Sequence, residues 1–203
     1  VHLTENNKPS PLTAPNFCML LRKHLQNGRI VSISQPGLER IIHIDIEHLD
    51  ELGDLCRKTL IVELMGKHSN IIFVNNDHMI LDSIKHISGL VSSVREVLPG
   101  RTYFIPETQN KHNPLTTDAS TLPALLAEKP MPAFKALYTT FTGFSPIMAQ
   151  ELCYKAGVDG DMPTAGLTDS DYVKLSGEFA ALIGRIKSGE FQPVIAYKGD
   201  EPA

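Results

Sequence analysis

The spacing of apolar residues over the first forty positions predicts one helix that precedes a pair of strands. Thr13 and Pro15 form a typical helix start, in which Thr13 supplies a side-chain cap and the missing N–H of Pro15 costs nothing. Gly28 is the expected stop, because glycine readily takes the left-handed conformation that ends many helices. Four apolar residues follow helical spacing between these ends, namely Phe17, Leu20, Leu21 and Leu25. The pattern predicts an amphipathic helix with Arg22 and Lys23 on or near its polar side.

Short stretches rich in β-branched residues follow, separated by turn residues. Ile42, Ile44 and Ile46 alternate with polar neighbours, as in a strand that has one solvent-exposed face. Pro36 and Gly37 predict a tight turn, because proline presets φ and glycine supplies a positive φ. These patterns predict five strands, at residues 29–35, 40–47, 60–65, 71–74 and 79–84.

The second half of the chain changes to helical patterns. Helices are predicted at residues 122–127, 132–140, 146–156 and 169–187. The predicted domains are therefore a β-rich one over residues 1–110, a linker over residues 107–118 and a helical one over residues 119–190. The fold class is α+β: a mostly antiparallel sheet with a packed helix, followed by a small all-α domain.

Charge adds one local feature to this picture. The 203 residues carry 19 Lys and Arg against 23 Asp and Glu, a net charge of −4. Residues 1–40 hold five cations and two anions, so this segment is basic and the remainder is acidic. A short basic segment fits a local anionic partner, although an ordinary solvated face gives the same composition. No run approaches the roughly 18 apolar residues of a membrane span, so no membrane partner is expected.

Cysteine and histidine spacing gives no sign of a metal or redox site. The three cysteines (Cys18, Cys56 and Cys153) are widely separated with no C-x-x-C pair, which predicts neither a disulfide framework nor a zinc site. Free thiols and the lack of a visible signal peptide favour a reducing, cytoplasmic location. The eight histidines show no metal-ligand spacing, and no G-x-S-x-G elbow occurs. We therefore expect no catalytic residue, no metal and no cofactor.

Glu39 and Arg40 place a charged pair at the start of a strand, directly after the Gly37 turn. An arginine held at a strand end can offer its fork to a phosphate or a base edge, and a neighbouring carboxylate can orient it. A surface ion pair of little energetic consequence is the alternative.

A second candidate is the turn of Gly143, Phe144 and Ser145 ahead of a predicted helix. It is similar to the hairpin of a helix-hairpin-helix module, in which backbone N–H groups and a helix N-terminus face a phosphate. The usual second glycine is Ser145 here. The alternative is a simple helical hairpin that closes a small core.

The polar turn around Lys67 and His68 only superficially resembles a phosphate loop. It lacks the G-x-x-x-x-G-K-[ST] spacing and opens a strand instead of a helix, so no nucleotide-hydrolysing site is predicted. His68 could act as a ligand or base, or simply be a hydrogen-bonded turn histidine.

Four stretches together resemble one family. They are NFCMLLRKHL at 16–25, QPGLERI at 35–41, VELMGKHSNII at 62–72, and Leu98-Pro99-Gly100 with Tyr103. In this order they are similar to the NFACT-N domain of bacterial RqcH and eukaryotic NEMF ribosome quality-control factors, whose bacterial members are often called fibronectin- or fibrinogen-binding protein A. The resemblance covers nearly the whole chain, and the family's helix-hairpin-helix module falls on residues 141–157. It implies a fold similar to the N-terminal domain of Fpg-type DNA glycosylases.

The resemblance implies a binding function without an active site. Such factors bind a large ribosomal subunit that still carries peptidyl-tRNA, and they recruit tRNA. In bacteria this is alanyl-tRNA, which extends the stalled chain with alanine without a template. The implied tRNA-binding residues are Arg40, Glu39, Arg22, Lys23, Lys67 and His68, with backbone contacts at Gly143, Phe144 and Ser145.

Two departures from the family pattern and two alternative functions accompany this interpretation. Glu39 stands where the family motif G-L-D-R has aspartate, so the charge is kept on a side chain one methylene longer. The chain is expected to lack the family's first strands, its coiled coil and its C-terminal RNA-binding domain. The alternatives are a surface adhesin that binds fibronectin or fibrinogen, and a glycosylase-like enzyme, for which Val1 offers no N-terminal proline nucleophile.

Overall fold

The computed structural model describes residues 9–50, 52–105, 110–195, 197–199 and 201–202. The described part divides into two compact units. Residues up to 36 and from 40 to 105 form a sheet unit, while residues 37–39 and those from 110 onward form a helical unit. Two of the charged residues counted in the basic segment, Glu5 and Lys8, lie outside the described residues. So do Val1 and residues 107–109 of the predicted linker.

A five-stranded antiparallel sheet in the order β1-β2-β3-β4-β5 forms the centre of the sheet unit. Each strand pairs with its neighbour in the chain, as short turns between consecutive strands require. The antiparallel sheet and the helices confirm the α+β prediction. The strands are β1 Arg29–Ser34, β2 Ile41–Leu49, β3 Leu55–Glu63, β4 Asn70–Asn75 and β5 Ile80–Ser83.

The predicted start of β3 is wrong by five residues. The strand begins at Leu55, which pairs with Leu49 at the far end of β2. Arg57 and Lys58 interrupt the apolar pattern over residues 55–59, but pairing with β2 extends the ladder through them. Cross-strand pairing therefore outweighs local polarity here.

Helix α1 (Asn16–Leu25) packs against β2 and β5, with Phe17 as its buried residue. Its predicted ends are wrong. Pro15 is the N-cap residue and no side chain caps the helix, so Thr13 has no capping role. At the other end Asn27 takes the left-handed conformation with φ 62°, and Gly28 does not.

Gly28 is needed for space instead. A Cβ there would lie 2.8 Å from Ile46 Cγ2 and 3.0 Å from the Leu25 carbonyl oxygen. The backbone after α1 thus passes β2 at a distance that only glycine allows.

A hydrophobic core of the sheet unit combines β2, β3, β4 and β5 with the connection that follows β5. Its buried members are Ile41, Ile61, Ile72, Val74, Ile80, Val97 and Tyr103. Glu63 is buried on β3 and is held by Arg95 and Tyr103, both from that connection. Tyr103 of the family motif therefore has a structural contact.

Four helices make up the helical unit: α2 Leu122–Ala127, α3 Ala133–Thr140, α4 Pro146–Ala156 and α5 Asp169–Ser188. Two short strands, β6 Tyr197–Lys198 and β7 Glu201–Pro202, follow. Phe141, Phe144 and Phe179 form an aromatic cluster in its core, with ring centroids 4.9 to 6.0 Å apart. None of the described helices is both long and apolar enough to cross a membrane.

Candidate nucleic-acid interface

Arg40 lies at the entrance to β2 with its backbone anchored and its side chain in solvent. Its carbonyl oxygen accepts a hydrogen bond from the N–H of Leu64 (2.8 Å), and the next residue, Ile41, is fully buried. The guanidinium is exposed and has no partner among the described residues. A fixed backbone with an open fork of donors suits the recognition of a phosphate or a base edge.

Glu39 is placed differently from its neighbour. It is half-buried and belongs to the helical unit, whereas Arg40 belongs to the sheet unit. The turn before it has the predicted geometry, since Gly37 has a φ of 55°.

Lys67 and His68 are exposed at the end of the sheet where Arg40 lies. They sit in a 3-10 turn, Gly66–His68, that directly follows Leu64 and Met65. The N–H of His68 donates to the Met65 carbonyl (3.0 Å), and the N–H of Met65 donates to Ser69 Oγ (2.9 Å). The turn is therefore held by backbone and side-chain hydrogen bonds. It places the basic residues Lys67 and His68 at the same end of the sheet as Arg40.

Arg22 and Lys23 lie at the opposite end of β2, in the last turn of α1. Lys23 lines a cavity of about 410 Å³ together with His48 and Leu49, the last residues of β2. The eight residue steps from Ile41 to Leu49 correspond to about 26 Å. The predicted cations thus form two groups, one at each end of the strand.

Sequence reasoning missed two basic residues in that cavity, His48 and Lys58. His48 Nδ1 donates to the Leu49 carbonyl oxygen (2.9 Å), which leaves Nε2 to accept from Lys58 Nζ. His48 follows Ile46 by two residues on β2, and Lys58 pairs with Ile46 from β3, so these side chains lie on the same face of the sheet. The two-residue alternation along each strand is the sequence signal that could have predicted this.

The hairpin at residues 142–145 lies between α3 and α4. Ser145 caps α4, because its Oγ accepts from the N–H of Met148 (3.1 Å), and its extended φ of −92° requires no glycine. Phe144 is buried, so only its backbone can reach a ligand. No described residue accepts a hydrogen bond from the N–H of Gly143 or Phe144.

Helix α4 buries one side only. Ala149 and Leu152 are buried, whereas Ile147 is 79% exposed. Within the described residues, no group of three or more His, Cys, Asp or Glu side chains could hold a metal ion.

The whole chain, residues 1–203, matches the family described as the NFACT N-terminal and middle domains. The chain belongs to this family. The resemblance carried by the four sequence stretches is thereby confirmed.

Curated relatives of the NFACT chain are ribosome quality-control factors. The Rqc2 homologue RqcH of Bacillus subtilis strain 168 is 36% identical over 196 residues, which cover 96% of this chain and 32% of the relative. Mouse ribosome quality control complex subunit NEMF is 22% identical over 161 residues, which cover 79% of this chain and 14% of the relative. The chain therefore spans about a third or less of these relatives.

A solved structure, described as the fibrinogen-binding protein from Staphylococcus aureus, has the same fold. Its TM-score is 0.73 at 33% sequence identity, with 86% of this chain and 60% of that chain covered. The same fold thus occurs in proteins named for two different functions.

Proposed function

We propose that this NFACT chain is the tRNA- and large-ribosomal-subunit-binding part of a cytoplasmic ribosome quality-control factor. It recruits alanyl-tRNA to a subunit that carries peptidyl-tRNA, for template-free tailing of the stalled chain. The ribosome makes the peptide bonds, so the chain acts by positioning and has no active site, metal or cofactor of its own.

The observation that carries the proposal is the exposed Arg40 guanidinium on an anchored backbone, at the position of the arginine in the family motif. Its side chain has no described partner to compete with a phosphate. Lys67 at the same end of the sheet adds a second cation. An arginine fork beside a lysine is a common way to hold an RNA backbone.

The separation of the two basic groups favours a large ligand. The two groups lie at opposite ends of β2, and eight residue steps at the strand rise correspond to about 26 Å. A single nucleotide cannot reach both groups, whereas a folded RNA can.

The hairpin supports a second, backbone-mediated contact. The N–H groups of Gly143 and Phe144 have no acceptor among the described residues, and they precede the N-terminus of α4. Unpaired N–H groups and a helix N-terminus favour a phosphate. We propose that α3, the hairpin and α4 form the helix-hairpin-helix module, within a helical domain at residues 119–190.

The test is a comparison of tRNA binding by the intact chain, Arg40→Ala and a matched control, Arg101→Ala. Arg101 is exposed and pairs with Glu96, so its loss leaves the Arg40 end of the sheet unchanged. We expect Arg40→Ala to weaken binding and to reduce the salt slope by about one. Equal affinities for Arg40→Ala and Arg101→Ala, or binding indifferent to salt, would contradict the proposal.

A second candidate function, binding of fibronectin or fibrinogen, is favoured by the name of the S. aureus protein with the same fold. The same three proteins distinguish the two candidates when immobilised fibronectin and fibrinogen replace tRNA. Nanomolar matrix binding that is insensitive to Arg40→Ala, without tRNA binding, would favour the adhesin.

A further inference from the structure

Lys85 lies just beyond β5, and two buried side chains hold its backbone. The Lys85 N–H donates to Asn70 Oδ1 (3.0 Å), and its carbonyl oxygen accepts from Asn70 Nδ2 (2.9 Å) and from Ser83 Oγ (2.9 Å). Asn70 and Ser83 are only 4% and 3% exposed. Because hydrogen bonds of buried groups are costly to lose, the path of the chain at Lys85 is fixed although β5 ends at Ser83.

The side chain of Lys85 reaches the 3-10 turn that carries Lys67. Lys85 Nζ donates to the Lys67 carbonyl oxygen (3.3 Å), and both lysines are exposed. An ammonium group has three N–H donors, so two of those of Lys85 remain for a ligand. The structure thus brings two lysines that are distant in the chain to one turn.

Pairing across the sheet relates this turn to Arg40. Ile41, the residue after Arg40, pairs with Glu63, and Glu63 pairs with Asn70. Because Asn70 also holds Lys85, three strand spacings, or about 14 Å, separate the entrance to β2 from Lys85. Arg40 and Lys85 both belong to the sheet unit. The basic groups therefore form one row across the end of this sheet.

The acidic groups close to this row are engaged with other partners. Asp82 Oδ1 lies 2.6 Å from His86 Nε2, and the carboxylate of Glu63 is held by Arg95. Within the part of the chain that the structure describes, no carboxylate lies at ion-pair distance from Lys85 Nζ. Exposed cations without a counter-charge repel one another, and a bound anion relieves that repulsion. The row is therefore suited to a polyanionic backbone.

We propose that Lys85 is a further RNA-contacting residue, which binds a phosphate of the tRNA beside Lys67, and that Asn70 is its positioning residue. The inference rests on the proposed tRNA binding and extends the contact surface from Arg40 on β2 to the end of β5. A phosphate is favoured over a base edge, because an ammonium is a point charge without the planar fork of arginine.

The first test compares Lys85→Ala with Lys174→Ala and measures tRNA affinity over a range of salt concentrations. Lys174 is an exposed lysine on α5 of the helical unit, so its loss leaves the row unchanged. We expect Lys85→Ala to lose about tenfold in affinity, as for one charge-assisted hydrogen bond, and to reduce the salt slope by about one. Lys85→Arg keeps the charge and should keep the slope. Equal affinities and slopes for Lys85→Ala and Lys174→Ala would overturn the inference.

The role of Asn70 is tested by a double-mutant cycle that combines Asn70→Ala with Lys85→Ala. A positioning residue weakens tRNA binding when it is lost from the unmodified chain, but its loss has no further effect once Lys85 is alanine. Losses that multiply would show that Asn70 acts on the fold in general, and its assignment would be wrong.

Ser83→Ala provides a milder variant in case Asn70→Ala fails to fold. It removes one of the three hydrogen bonds that hold the Lys85 backbone, so we expect a smaller loss of tRNA affinity. That loss should also disappear in the Lys85→Ala background. A loss of the same size in both backgrounds would contradict positioning through Lys85.

The proposed function and this inference fail differently in these measurements. Absence of tRNA binding by the unmodified chain would overturn the proposed function, and the inference with it. Binding that Arg40→Ala weakens and Lys85→Ala leaves unchanged would overturn the inference alone.

Discussion

Arg95 holds the buried carboxylate of Glu63 with one nitrogen, Nη2, which lies 2.6 Å from Oε1 and 2.5 Å from Oε2. Glu63 is 1% exposed, and the Tyr103 hydroxyl donates to its Oε1 at 3.0 Å. Burial raises the pKa of Tyr103, and the charge of Glu63 raises it further. Side chains from the connection that follows β5 therefore compensate a charge on the core face of β3.

We expect Arg95→Met to lower the free energy of unfolding by about 3 to 5 kcal/mol, because it leaves a buried carboxylate without its cation. Arg57→Met is the control, since Arg57 pairs with Glu47 at the surface and is half exposed. Urea unfolding followed by circular dichroism measures both changes. Similar losses in the two variants would show that burial does not set the strength of the Arg95 pair.

We expect His43 to make stability depend on pH. Burial lowers the pKa of His43 below 6.5, His78 acts in the same direction, and Asp45 and Glu63 oppose them. Because the folded pKa is lower than the unfolded one, the stabilising contribution of His43 is present above about pH 6.5 and is lost as the pH falls through the folded pKa.

The variant His43→Phe should therefore lose less stability than the unmodified chain between about pH 7.5 and about pH 5.5. The substitution also removes a buried Nε2 that has no described hydrogen-bond partner. His68→Phe, at an exposed position, should keep the original pH dependence. An unchanged slope in His43→Phe, measured by urea unfolding at both pH values, would contradict the assignment.

We expect Gly184→Ala to stabilise the chain by about 0.5 to 1 kcal/mol, because Gly184 lies inside α5 and alanine favours helix. Nothing lies within 4 Å of the Cβ position at Gly184. Gly28→Ala should instead destabilise, since its Cβ would meet Ile46 Cγ2 at 2.8 Å. Thermal unfolding compares the two, and a gain in stability for both would contradict the close approach at Gly28.

We expect Thr168→Ala to destabilise the chain by about 1 kcal/mol through loss of the cap of α5. The Thr168 side chain accepts from the N–H of Asp171 (3.2 Å), and Asp171 Oδ2 accepts from the N–H of Thr168 (3.0 Å), which forms a capping box. Thr168→Ser keeps the hydroxyl and should stay close to the unmodified chain. If both variants lose the same stability in urea unfolding, the cap is not the cause.

Helices whose ends carry local signals were predictable from the sequence. The bounds of α2 and α4 agree with the prediction, and α5 differs by one residue at its end. Pro146 at the first position of α4 and Gly157 after its end act within a few residues of the chain. The predicted C-terminal end of α1 was wrong because Asn27, and not Gly28, takes the left-handed conformation. The predicted start of β3 was wrong because pairing with β2 extends the strand back to Leu55.

The sequence by itself determined the helices of the second half, the approximate places of the five strands and the family motifs that carry Arg40. These depend on hydrophobic period, turn residues and short-range caps, all of which act locally. Only the tertiary structure decided that Gly28 and Gly143 are needed for space, that Glu63 is buried against Arg95, and that Glu39 and Arg40 lie in different units. Each of these depends on which residues, distant in the chain, come into van der Waals or electrostatic range, and local patterns do not encode that distance.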